Sequence, residues 1–160
     1  RRFKTVVTSA AGYPLDKTYY QTVKGMVGPL DILEPGGNLI IASDCSEGMG
    51  SSEYEEAQRR LIDLGTDGFF ADISKKRYAD IDEWQTQMQL KPMKLGSVSL
   101  YTKGLNAEQR ALTGVTMVDS VEQAIADSIA KTGDRSVAIV PEGAYVVPVY
   151  APESPIRAAA

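Results

Sequence analysis

The sequence predicts a single α/β domain with a mainly parallel sheet and helices on both faces. Three observations carry this. Short β-branched runs alternate with amphipathic helical stretches, the order expected of parallel βαβ units. Turns containing Gly or Pro punctuate the boundaries between them. The length, 160 residues, suits one domain that can bury about 70% of its extended-chain surface without disulfides or metal.

The elements follow in order. Phe3 to Ser9, centred on Thr5-Val6-Val7-Thr8, reads as a buried strand. Ala10-Ala11-Gly12-Tyr13-Pro14 is a turn, and Asp16 is the expected N-cap of a helix to about Met26. Pro35-Gly36-Gly37 precedes a second strand, Asn38 to Ala42, with Leu39-Ile40-Ile41 at its centre. The loop Asp44-Cys45-Ser46-Glu47-Gly48-Met49-Gly50 delivers a second helix. There Ser52 and Glu55 match a capping box, and Gly65 is the expected C-cap. A third helix, about Asp80 to Leu90, holds the only Trp, Trp84. Ser97 to Thr102, Val115 to Val118 and Val137 to Val140 read as strands. Between the last two, Val121 to Lys131 places Val121, Ala124, Ile125, Ser128 and Ile129 on one helical face. Val146 to Tyr150 reads as a final short strand. The domain is expected to span residues 1–151, and the Pro- and Ala-rich stretch from Pro152 to fray.

Composition narrows the function classes. A hydrophobic fraction of 43% and a charged fraction of 24% fit a soluble globular chain. The formal charge of −4 gives no electrostatic case for nucleic acid. No apolar run approaches the roughly 18 residues of a membrane span. One Cys excludes an intrachain disulfide framework. The decisive count is His, which is zero. This chain therefore has no Ser-His-Asp triad, no Cys-His dyad and no His-ligated metal site of its own. It starts at Arg1 and runs straight into strand-like sequence. That reads as a piece of a longer protein, with a processed mature chain as the alternative, and as cytoplasmic.

On the first helix, Tyr20 and Lys24 stack at i,i+4 and Gln21 and Lys24 at i,i+3, spanning an arc of about 100°. Tyr19, Val23 and Met26 form the neighbouring anchoring face. A phenol, an amide and an ammonium on one patch suit a carboxylate or a polar oxygen. The plainer reading is a solvated lysine among ordinary surface residues. Gly48-Met49-Gly50 before a capped helix suits an anion, or is simply a strand-to-helix turn. Cys45 lies near a helix N-terminus, but without a His to act as its base it reads as a small space-filler. Trp84 with Met88 four residues on reads as a core anchor. The acid pairs Asp80/Asp82 and Glu55/Glu56 read as solvated helix faces.

The stretch Thr8-Ser9-Ala10-Ala11-Gly12-Tyr13-Pro14-Leu15-Asp16-Lys17-Thr18-Tyr19-Tyr20-Gln21-Thr22-Val23-Lys24-Gly25 resembles the signature that opens the C-terminal domain of the nickel-dependent lactate racemases. Gly36-Gly37, Cys45-Ser46-Glu47-Gly48-Met49-Gly50-Ser51 and Trp84-Gln85-Thr86-Gln87 resemble that domain in the same order, so the likeness runs from about Phe3 to Tyr150. Ala10-Ala11 departs from a more Gly-rich family turn.

The resemblance implies a two-domain isomerase with its active site in the interdomain cleft. A nickel-pincer nucleotide on the missing N-terminal domain would take a hydride from C2 of a 2-hydroxy acid and return it to either face. Acid and base histidines would also lie on that domain, so this chain alone is expected to be inactive and to hold no cofactor or metal. Gln21 and Lys24 fall on family positions that contact substrate, Tyr20 sits beside them, and Trp84 falls near the active site. The expected partners are thus a small 2-hydroxy acid and the missing domain, with neither nucleic acid nor membrane. Two alternatives stand beside this: a non-catalytic α/β module binding an anion or partner, and a relative acting on a larger hydroxy acid.

Overall fold

A computed structural model describes residues 1–152. Beyond Pro152, the tail expected to fray lies outside the described residues. Five strands form one all-parallel sheet: β1 (Phe3–Ser9), β2 (Leu33–Ala42), β3 (Ser97–Tyr101), β4 (Thr116–Val118) and β5 (Val137–Val140). Their order is β4-β3-β2-β1-β5. The helices are α1 (Tyr19–Val27), α2 (Ser52–Ile73), α3 (Glu83–Leu95), α4 (Ala107–Leu112) and α5 (Val121–Thr132). The expected fold class is the observed one.

The strand order has a direct consequence. Three crossovers step outward from β1 to β4, and the fourth, through α5, returns to the free side of β1. Because such crossovers are right-handed, the reversal puts α5 on the opposite face from α1 and α3. Alternating strand residues show both faces. Val6, Leu39, Ile41 and Leu100 pack with Tyr19, Val23 and Met26 in the main core. Thr5 and Asn38 point the other way and hydrogen-bond the Ser128 hydroxyl of α5 at 2.6 and 2.9 Å. Each fully buried Val, Leu or Ile contributes about 1.5–3 kcal/mol.

Several boundaries differ from expectation. β2 starts five positions before Asn38, because Leu33 pairs with Phe3 and the ladder is offset before resuming at Thr5–Asn38. Asp16 lies in a short 3-10 turn (Leu15–Lys17), and the N-cap of α1 is Thr18, whose hydroxyl accepts from the Gln21 amide at 3.3 Å. The cap of α2 is Ser51, one residue before the expected Ser52, and it accepts from the Tyr54 amide at 3.1 Å. Gly65 breaks the helical geometry with φ 69°, as a C-cap would. Helix resumes beyond it to Ile73, because burying Phe69 against Leu61 and Leu90 rewards another two turns. Helix α3 is shifted towards Leu95, since residues 80–82 form a turn that ends with Asp82 in the left-handed region.

The strand expected at Val146–Tyr150 is absent; β5 is the sheet edge and no ladder reaches this segment. Instead residues 141–147 turn back, with the Tyr145 and Val146 amides both donating to the Glu142 carbonyl. The turn presses onto the end of α1. A Cβ on Gly28 would lie 2.3 Å from the Gly143 carbonyl oxygen, so only glycine allows this approach.

Candidate functional site

The site-bearing helix is fixed before it presents anything. Tyr19 is fully buried and its hydroxyl donates to the Thr113 carbonyl at 2.8 Å. The Gly25 carbonyl accepts from the Thr8 hydroxyl at 3.2 Å. The Gln85 side-chain amide donates to the Tyr20 carbonyl at 2.6 Å and ties α1 to α3. The loop after β2 caps the start of α1: the Tyr19 and Tyr20 amides donate to the Gly48 and Met49 carbonyls, each at 2.9 Å.

On this frame the structure brings Tyr20, Lys24 and Trp84 together. The Tyr20 ring meets the Trp84 indole edge-on at 6.0 Å between centroids, and Tyr54 similarly at 5.2 Å. The Lys24 ammonium lies 5.9 Å from the Tyr20 centroid, near the outer limit of a cation–π contact. Lys24 is exposed and forms no ion pair among the described residues. Trp84 is 47% exposed and is therefore no core anchor. Burial first, and then the nearby negative charge of Asp82, push the Tyr20 pKa above the usual tyrosine range. Asp82 in turn accepts from the Ser51 hydroxyl at 2.6 Å.

Lys24 and Trp84 line a cavity of about 230 Å³ between α1, α3 and the turn after β5. Val23, Val27, Met88, Ala144 and Val147 supply apolar wall, and Gln85 contributes as well. Gln21 and Tyr20 are half-buried beside it on α1 but are not among its lining residues. The Gln21 and Gln85 side-chain carbonyls are both buried without a partner. In Gln85 the amide nitrogen is committed to Tyr20, so the oxygen is the free group.

A charge cluster around one buried carboxylate holds the start of α3. Glu83 is 2% exposed and accepts from Arg60 at 2.5 Å and Lys76 at 2.7 Å. Arg60 also pairs with Asp72, and Lys76 with Asp80. Burial alone would raise the Glu83 pKa; the two cations outweigh it and hold the carboxyl below its ordinary value.

A second, larger recess of about 450 Å³ opens beyond the carboxyl ends of β1, β2 and β3, among Ser9, Gly12, Asp16, Ser43, Asp44 and Lys103. This is where ligands of open α/β sheets gather. The Gly48 loop is less available, because the amides of Cys45, Glu47 and Gly48 already donate to backbone carbonyls. Cys45 is fully buried, with its thiol 3.4 Å from the Thr22 hydroxyl, in keeping with a space-filling residue. Asp80 is solvent-exposed, as expected, and also pairs with Lys76 and Arg60 in the ion cluster. Sequence reasoning does not single out Gln85, Glu83, Ala144 or Val147, and reads Asp82 only as part of a solvated helix face. Gln85 stands next to Trp84 in the Trp84-Gln85-Thr86-Gln87 motif, whereas Glu83, Ala144 and Val147 give no local signal.

The order of elements, the parallel sheet and the α1–α3 cavity define a single α/β domain of a kind already known. Residues 2–148 match the lactate racemase C-terminal domain family, and the chain belongs to it. It is 27% identical over 154 residues to a lactate racemase of Thermoanaerobacterium thermosaccharolyticum, covering 89% of this chain and 34% of that one. It is 23% identical over 145 residues to a lactate racemase of Lactiplantibacillus plantarum, covering 88% and 34%. The structure of the lactate racemase apoprotein from T. thermosaccharolyticum superposes with a TM-score of 0.81 at 24% identity, over 92% of this chain and 36% of that one. The chain thus spans about a third of the length of these relatives. No helix among the described residues is long and apolar enough to cross a membrane.

Proposed function

We propose that this chain is the substrate-contacting C-terminal domain of a lactate-type 2-hydroxy-acid racemase or epimerase. The observation that carries it is Lys24: an exposed ammonium without an ion pair among the described residues, set beside Trp84 at a cavity. A 2-hydroxy acid bears its carboxylate next to the reacting carbon. A charge-assisted hydrogen bond from Lys24 would hold that carboxylate and contribute about 1.5–3 kcal/mol. Gln21, three residues earlier, offers an amide to orient the ligand. The Tyr20 ring, packed edge-on against Tyr54 and Trp84, would limit how far the lysine can swing. Trp84 would wall the substrate from water and so strengthen the lysine contact.

Among the described residues no side-chain cluster fits the nickel of the pincer cofactor that the family implies. The chain has no His, and its described residues hold no cluster of three potential ligands. Its metal would be held by residues outside this chain, and so would the acid and base. The role left to this chain is to bind and orient, and by itself it would be inactive.

In the full-length, cofactor-loaded protein, Lys24→Ala should lower kcat/KM at least roughly tenfold, equivalent to about 1.4 kcal/mol. Nickel content and melting temperature should stay near those of the parent, because Lys24 is exposed. Unchanged kcat/KM in a folded, loaded variant would make Lys24 an ordinary surface lysine and remove this reading.

A further inference from the structure

The cavity beside Lys24 carries more than a carboxylate contact. Lactate presents only a methyl group beyond its carboxylate and hydroxyl. The wall facing Lys24 is far larger than a methyl needs: Val23, Val27, Met88, Ala144, Val147 and the Trp84 indole surround about 230 Å³. For scale, an apolar cavity of about 150 Å³ accommodates benzene. Val147 is 71% exposed and Trp84 47% exposed, so the wall leaves apolar surface open to water until something covers it. A single unpaired ammonium at the edge of such a wall fits one kind of small molecule best: an anion with a bulky apolar tail.

Resting on the Lys24 reading above, we infer that the site takes 2-hydroxy acids with a large apolar substituent on C2, branched-alkyl or aryl, in preference to lactate. The carboxylate sits on Lys24. The substituent enters the gap between α1 and α3, against Met88 and under the turn that carries Ala144 and Val147. That turn is set by the Gly143–Gly28 approach, so the far wall of the pocket is part of the fold and not a loose strand. Each buried methylene adds about a fourfold gain in affinity, so three more carbons than lactate set an upper bound of about 60-fold. The pocket stays partly open, and at least tenfold is expected.

The test is a titration of the full-length, cofactor-loaded protein with lactate and with 2-hydroxy-4-methylpentanoate, read by NMR on the Trp84 indole N–H. Two variants are measured alongside: Ala144→Leu, which fills the pocket from a partly exposed position, and Lys24→Gln. The larger acid should bind at least tenfold tighter. Ala144→Leu should bring its affinity down to that of lactate, with the melting temperature checked for an intact fold. Lys24→Gln should weaken both acids by the same factor, since they share the carboxylate. If lactate binds as tightly as the larger acid, or the preference survives Ala144→Leu, the size inference is overturned while the hydroxy-acid reading stands. If neither acid moves the Trp84 signal, or Lys24→Gln changes neither affinity, the substrate-contacting reading falls and takes this inference with it.

Discussion

Replacing Glu83 by Gln removes one charge from the cluster that opens α3 and leaves the side-chain volume unchanged. The carboxylate is 3% exposed and accepts from Arg60 at 2.5 Å and Lys76 at 2.7 Å, so water does little to screen the loss. A hydrogen bond to a charged acceptor contributes about 1.5–3 kcal/mol and a neutral one about 0.5–1.5. The two bonds from the cations, downgraded from one kind to the other, cost about 2 kcal/mol. The Asp80 amide, which donates to the second Glu83 oxygen at 3.2 Å, belongs to an exposed residue and can turn to water. The full penalty of a broken buried pair, about 3–5 kcal/mol, does not apply, because Arg60 keeps Asp72 and Lys76 keeps Asp80. For a domain of this size the loss corresponds to a fall of about 4–8 °C in Tm.

The pH dependence gives the same test a sign. Glu83's folded pKa lies below its ordinary value of 4.5. Its contribution is therefore complete above that value and is lost as pH falls through the lower folded pKa. Circular dichroism melts of parent and Glu83→Gln should differ by the full amount at pH 7 and converge in acid. A gap below about 1 °C at pH 7, or one that widens in acid, would refute the reasoning.

Two further predictions follow from neighbouring contacts. Asp82→Asn keeps a residue that tolerates the left-handed backbone but removes the carboxylate facing Tyr20. The Tyr20 pKa should fall towards the ordinary tyrosine range in an ultraviolet titration, and a value that stays put would leave burial as its sole cause. Gly143→Ala would place a Cβ 1.9 Å from the Thr8 hydroxyl and 2.9 Å from the Ser9 carbonyl. Overpacking of that kind costs about 1–3 kcal/mol. It should lower the Tm and shift the Val147 methyl resonances as the turn lifts from the cavity; unshifted methyls in a folded variant would mean the turn adapts without moving.

What could be read from the sequence was what short-range physics decides. β1 carries an unbroken β-branched run, Thr5-Val6-Val7-Thr8, and β5 is β-branched but for Ala138; the structure places both at the expected residues. Lys24, Gln21 and Tyr20 share a helix arc because 3.6 residues per turn leaves no other arrangement. The turn after β5 was misread for the same reason. Val146, Val147 and Val149 look like a strand, but a strand needs a partner ladder, and the Gly143–Gly28 approach that decides the matter joins residues 115 positions apart (143 minus 28). Helix α4 was missed although Asn106 and Gln109 form its capping box, because it is too short to show a period. The contacts that set Trp84 beside Tyr20 belong to α1, α2 and α3 together and have no local signature. The resemblance, by contrast, singled out Trp84 without the geometry.

The positions of the unpaired polar groups support a site along α1. Burying an amide oxygen without a partner costs about 1–3 kcal/mol, and a domain keeps few of them. The described residues hold three, on Gln21, Gln58 and Gln85. Gln58 lies in the core, where its amide nitrogen serves Tyr54 at 2.7 Å and Gln89 at 2.9 Å; it shows that an orphaned oxygen is not by itself a mark of function. The other two belong to the helices that frame the cavity, one on each. Their neighbours are not loose: Tyr19, Tyr20 and Gly25 are each tied to a different element by hydrogen bonds. A frame fixed this firmly has no mechanical need for unpaired acceptors and an unpaired ammonium on the two helices that frame one cavity. Rigid helices that hold such groups ready, with the ordering cost already met during folding, suit a polar molecule that arrives later and supplies the missing partners.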